Sequence, residues 1–218
     1  MGALQSGITL VGHADESLEI KRLRDAARIK RIVDCVLATI LAVVFLPAMV
    51  VCATIIRVSS PGPVFLRQTR LGKDGKLFRI IKLRTMHLDA EALSGPVLAE
   101  ENDRRILPAC RWMRRSHLDE IPQLINVLRG EMSVVGPRPE RPEIAQEVYR
   151  RLPEFRRRLQ VRPGITGLAQ VRNGYDTCVD AMRHKLQYDV EYIRRRSWTL
   201  ELGILLMTLT KFYDPSAR

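Results

Sequence analysis

CVLATILAVVFLPAMVVCATII, residues 35–56, is the stretch on which the fold turns: 22 consecutive residues without a charge, in which only Thr39, Pro47 and Thr54 are not apolar. As a straight helix rising about 1.5 Å per residue, it would match a bilayer core of roughly 30 Å. The flanks complicate a simple span. Six Lys and Arg occupy the 20 residues before Cys35 and five occupy the 20 after Ile56, whereas a spanning helix carries its basic excess on one side. Pro47 lies near the middle, where its missing N–H and its ring favour a bend. The residues by themselves admit both a spanning helix and a re-entrant one that enters and leaves by the same face.

Outside this stretch, the 218 residues suffice for one domain beside a membrane element, with 46% of the chain apolar. The net charge of +12 asks for an anionic partner: a phosphorylated substrate, anionic lipid or nucleic acid. Aromatic residues make up only 6%, and neither an Arg-rich reading helix nor a stacking surface is evident, so nucleic acid is not expected. Cys35, Cys52, Cys110 and Cys178 lack the paired spacing of a zinc or redox site and read as thiols in a reducing compartment. Residues 1–20 are mixed polar and acidic and do not form a secretory signal, which places the basic body in the cytoplasm.

Downstream, residues 60–86 read as two short strands joined by a turn at Lys73, Asp74 and Gly75. A period of two puts Phe78, Ile80, Lys82 and Arg84 on one face, from which Lys82 and Arg84 would reach one anion together. Residues 87–107 are polar and read as a surface loop or short helices. In HLDEIPQLINVLRG, Ile121, Leu124, Ile125 and Leu128 trace one apolar helix face that Gly130 ends. Pro122 belongs in the first turn, which sets Asp119 at or near the N-cap. A polar helix follows around residues 179–196, and WTLELGILLMTLTKFY, residues 198–213, is too short to span and reads as interfacial or core-packed.

Adjacent carboxylates at a helix start serve equally as caps, and Asp119 and Glu120 could be no more than that. Their neighbours suggest chemistry. Arg111, Arg114 and Arg115 lie just upstream. Carboxylates, a divalent metal and basic side chains are the parts of a phosphoryl-transfer site, in which a carboxylate can also be the nucleophile. Arg138, between the prolines of GPRP, and Arg162, before Pro163, have restricted backbones that suit an anion cradle. A basic membrane tether without turnover would use the same charge and leave both carboxylates exchangeable.

Four ordered strings carry a resemblance over nearly the whole chain: KRIVD at 30–34 with the apolar run, SPGPVFLRQTRLGKDGKLFRIIKLRTM at 60–86, SHLDEIPQLINVLRGEMSVVGPRP at 116–139 and RPGITGLAQV at 162–171. Together they resemble the bacterial sugar transferase family, and within it the small monotopic phosphoglycosyl transferases. The resemblance implies a predominantly helical α+β fold. An N-terminal cytoplasmic segment (1–29) would precede a re-entrant helix-break-helix (30–57) with Pro47 at the break. A cytoplasmic catalytic domain (58–218) with a short β-hairpin and amphipathic interfacial helices would follow, on the inner face of the bacterial inner membrane. It further implies that Asp119 attacks a UDP-sugar, releasing UMP and forming a phosphosugar-enzyme intermediate that polyprenyl (undecaprenyl) phosphate resolves. Glu120, with Asp119, would hold Mg²⁺, and Lys82, Arg114, Arg138 and Arg162 would clamp phosphates. Such a reaction opens the membrane stage of glycoconjugate synthesis. No pattern names the sugar, and a homodimer is admitted but not encoded. Two positions depart from the family: Leu46 where Ser often precedes the proline, and Leu168 where Trp is frequent.

Overall fold

A computed structural model describes residues 3–88, 90, 103–172 and 179–210, with the side chains of 3–24 and of 179–180 left aside. Cys178, most of the expected loop at 87–107 and the end of the 198–213 segment fall outside the described residues. Helix α1 (Ala3–Ser59) is followed by a hairpin of β1 (Phe65–Leu71) and β2 (Leu77–Leu83). Then come α2 (Arg111–Arg115), α3 (Gln123–Arg129), β3 (Ser133–Val135), α4 (Pro142–Arg151), β4 (Gly164–Thr166), α5 (Leu168–Arg172), α6 (Val179–Arg195) and α7 (Trp198–Thr210).

The long helix corrects one expectation. Helical backbone runs through Pro47, so no non-helical break separates two shorter helices. Proline removes one backbone donor, and the surrounding turns keep their own bonds. Along α1, Asp34, Ala38, Cys52 and Ile56 are buried against the rest of the chain, while Ile40, Val43, Val44, Leu46, Val50 and Val51 are exposed. The apolar run thus contacts the domain at both of its ends. Near its start, Ala38 with Leu37, Leu41 and Ala42 joins a core of Val127, Val134, Leu168 and Ile204. Near its end, Cys52 and Ile56 pack with Leu83, Leu107, Cys110 and Met113.

A buried polar knot fixes the first of these contacts. Lys30 is hydrogen-bonded to Asp34 and donates to Ser133 Oγ at 2.9 Å, and its Nζ lies 3.1 Å from Glu201 of α7. Ser133 Oγ and Val134 N–H both donate to Asp34. Arg31 donates to the carbonyls of Val127 and Leu128, at the C-terminal end of α3. The KRIVD string is therefore a clamp between α1, β3, α3 and α7.

The hairpin forms as its turn residues dictate. Phe65 pairs with Leu83 and Leu71 with Leu77, antiparallel, around a 3₁₀ turn at Lys73–Gly75 in which Asp74 and Gly75 take positive φ. A second pairing, β3 with β4 in parallel, was not expected from the sequence. It brings Gly136, Gly164 and Gly167 so close that a Cβ on Gly164 would sit 2.1 Å from the backbone N of Gly136. The glycines of GPRP and RPGITG are thus the contact surface by which the two motifs mate.

Candidate active site

Asp119 and Glu120 lie in a single 3₁₀ turn, Leu118–Glu120, entered through His117 in the left-handed region (φ 51°). This corrects the expected cap. Pro122, not Asp119, occupies the N-cap position of α3, and no side chain caps either that helix or the turn. The expected apolar face of α3 also divides. Leu124 is buried, whereas Ile125 and Leu128 are exposed.

Glu120 is buried and held from two directions. Lys82 of β2 donates to its Oε1 at 2.6 Å, and Arg138 makes a bidentate pair, Nη2 to Oε1 at 2.7 Å and Nη1 to Oε2 at 3.1 Å. Burial disfavours its charge, yet Arg138 and Lys82 hold its carboxyl well below the usual range. Asp119 is the opposite case. It is buried, and among the described residues no side chain or backbone group hydrogen-bonds or pairs with its carboxylate. Burial and the neighbouring Glu120 push its pKa up, against the pull of Lys82, Arg114 and His117. One carboxylate is spent on cations, and its neighbour is left basic and open.

The remaining expected cations do not all converge here. Arg114 donates to Thr85 Oγ1 at 3.2 Å and acts on Asp119 through space. Arg84 lies past the end of β2 and donates to the carbonyls of Ser60 and Pro61, just beyond the end of α1. Lys82 and Arg84 thus have different partners within the chain. Arg162 donates its Nε–H to Gly130 O at 2.9 Å, at the end of α3 remote from Asp119.

Three supports of the site were not read from the sequence. Asn126, fully buried, joins α3 to β2: Ile81 N–H donates to its Oδ1, and its Nδ2 donates to Arg79 O and Glu131. That contact sets Lys82 opposite Glu120. Behind Arg138, Arg158 donates to the Arg138 carbonyl at 2.7 Å and pairs with Glu140 at 3.1 Å and Asp189 at 2.9 Å. Lys185 reaches Glu140 at 2.8 Å. Burial opposes the charge of Glu140, but Lys185 and Arg158 hold its pKa far below the usual value, whereas burial raises that of Asp189. Arg70, lowered to about 10 by burial and by Arg138, donates to Pro139 O at 3.3 Å. Charge in a helix such as α6 gave no sign of facing inward, because Lys185 and Asp189 find their partners only in the folded chain.

A divalent cation fits this donor set in part. Mg²⁺ is commonly held by one or two carboxylates together with substrate phosphates, and Asp119 has open lone pairs. The lone pairs of Glu120 face Lys82 and Arg138, so metal binding there would require one of those cations to yield. No group of three or more metal-ligating side chains occurs among the described residues.

Comparison with known proteins agrees with the motif pattern. Residues 25–214 match the model of the bacterial sugar transferase family. A UDP-glucose:undecaprenyl-phosphate glucose-1-phosphate transferase of Caulobacter vibrioides is 43% identical over 184 residues, covering 83% of this chain and 68% of its own. A UDP-N-acetylgalactosamine-undecaprenyl-phosphate N-acetylgalactosaminephosphotransferase of Aeromonas hydrophila is 39% identical, covering 84% and 43%. The exopolysaccharide production protein PSS of Rhizobium leguminosarum bv. phaseoli is 36% identical, covering 83% and 93%. The chain spans less than half of the Aeromonas relative but nearly all of the Rhizobium one. With 190 of its residues inside the family match, this chain belongs to the bacterial sugar transferases.

Proposed function

We propose that this protein transfers a sugar-1-phosphate from a UDP-sugar to undecaprenyl phosphate, releasing UMP, as the first membrane step of glycoconjugate synthesis. The observation that carries the reading is the division of labour between Asp119 and Glu120. A cap would bond a backbone N–H, and Asp119 bonds none. An Asp119 oxygen attacks the phosphorus that bears the sugar, the bond from that phosphorus to the UMP oxygen breaks, and UMP leaves with its electron pair. A phosphate oxygen of the polyprenyl carrier then attacks the same phosphorus and frees Asp119. Lys82 and Arg138 stabilise negative charge at the phosphates as well as on Glu120. Mg²⁺, when bound, would neutralise phosphate charge, with Glu120 and Asp119 as its protein ligands. The names of the relatives support the reaction class and both substrates.

The protein is further read as monotopic, on the cytoplasmic face. The support is geometric. A run of about 33 Å that left the domain to cross a bilayer would carry one end away from it, and both ends of this run pack on the same domain. Measuring UMP release from a panel of UDP-sugars, with polyprenyl phosphate in vesicles, tests the activity. Turnover with at least one sugar that vanishes in Asp119→Asn supports it, and binding without turnover across the panel would favour a tether.

A further inference from the structure

Exposed arginines from three elements converge where α1 enters its apolar run. The junction of α6 and α7 carries Arg194, Arg195 and Arg196, all exposed, with only Ser197 between them and the exposed Trp198. The bridge from Lys30 to Glu201 binds the first turn of α7 to α1 only a few residues ahead of Cys35. Arg31 fastens the end of α3 to the same level, which brings the exposed Arg129 there, beside the exposed Leu128. Arg28, one turn earlier on α1, is exposed as well.

Below this ring the surface turns apolar on α1 and α7. Ile32, Val33 and Val36 are exposed on α1, and Trp198, Leu202, Leu206 and Leu209 form a stripe at helical spacing on α7, opposite the buried Glu201 and Ile204. Opposing charge is sparse. Asp25 lies 3.7 Å from Arg28, and Glu191 pairs with Arg195 at 3.2 Å. Among the described residues no carboxylate pairs with Arg129, Arg194 or Arg196. Arginines above a Trp-led apolar stripe are placed as basic residues at headgroup depth are, with rings at the interface and guanidiniums among the phosphates.

We propose that Arg129, Arg194 and Arg196 form a docking surface for anionic phospholipid headgroups, seating the protein at a fixed depth in an acidic leaflet. The proposal rests on the reading that α1 and α7 lie against the bilayer. It separates from that reading because apolar contact is indifferent to headgroup charge. The test is synthesis of the full chain in the presence of vesicles, followed by flotation, with phosphatidylcholine alone competing against phosphatidylcholine mixed with phosphatidylglycerol. The wild type should favour the anionic vesicles by about tenfold or more, with high salt erasing the preference, given roughly a factor of five per arginine at the surface. The triple variant R129Q/R194Q/R196Q should float with neutral vesicles as the wild type does but lose the preference. A wild type without preference, or a variant that keeps it, overturns the proposal and leaves the interfacial reading intact. Neutral vesicles doped with polyprenyl phosphate form the third arm: recruitment by that lipid alone would mean a carrier-specific site and would also overturn the proposal. If L202E/L206E left flotation unchanged, the interfacial reading itself would fail.

Discussion

At Asp119, the proposed nucleophilic role and stability oppose one another. A buried carboxylate with a raised pKa stabilises the fold only when protonated. That contribution is present below the unfolded pKa, near 4, and is lost as pH rises through the folded one. Once ionised, the group is therefore a strain on the fold. Asp119→Asn should raise thermal stability, on the order of 1 kcal/mol, while UMP release falls by several orders of magnitude, read by thermal melts and a nucleotide assay in parallel. A second contrast separates two arginines that the sequence placed together. Arg138→Ala should lower turnover by more than about tenfold, or about 1.4 kcal/mol at the transition state, since it removes a guanidinium from Glu120. Arg162→Ala should instead lower the melting temperature, with a smaller change in kcat, because its bond is to the Gly130 carbonyl. The carboxylate pair was legible in the sequence because two acids and three nearby arginines share one short segment. The partners of Arg84 and Arg162 were not, because each is a backbone carbonyl that only the fold presents.

At the level of elements, local rules succeeded where the signal is local. The turn at Lys73–Gly75 and the helix end at Gly130 follow from residues that favour positive φ. The parallel pairing of β3 and β4 joins three-residue strands far apart in sequence, too short to show a period of two. The cap of α3 was misplaced because the 3₁₀ turn before Pro122 has the composition of a helix start without its geometry. The network of Glu140, Arg158, Lys185 and Asp189 is the element-level device that holds the Arg138 loop. Breaking it by Glu140→Gln should destabilise by about 3 kcal/mol at neutral pH, as expected for one partner lost from a buried ionic cluster. Because the folded pKa of Glu140 is depressed, its contribution is present above the unfolded value and fades as pH falls. The stability gap between wild type and variant, measured by denaturant melts, should therefore narrow below about pH 4.

For the whole molecule, the decisive feature is that a helix apolar enough to cross a bilayer packs on one domain near both ends of its apolar run. The charge on both flanks hinted at this, but only the packing of Ala38 and Cys52 onto that domain supports it over a span. With the native cysteines replaced, single cysteines at the exposed Ala26 and Val58 should both label from the cytoplasmic side of oriented membranes. Labelling of either from the opposite side would restore the spanning helix. On the monotopic reading proposed above, such an anchorage would hold Asp119 near the membrane surface, where a soluble nucleotide-sugar and a lipid phosphate can meet. The central claim is that Asp119 is the nucleophile between those two substrates. Its most direct measurement is the intact mass of the protein after mixing with a turned-over UDP-sugar and Mg²⁺, without polyprenyl phosphate. A sugar-phosphate adduct that maps to Asp119 and is absent from Asp119→Asn is the predicted result, and an adduct on another residue, or near-normal turnover by the variant, would contradict it.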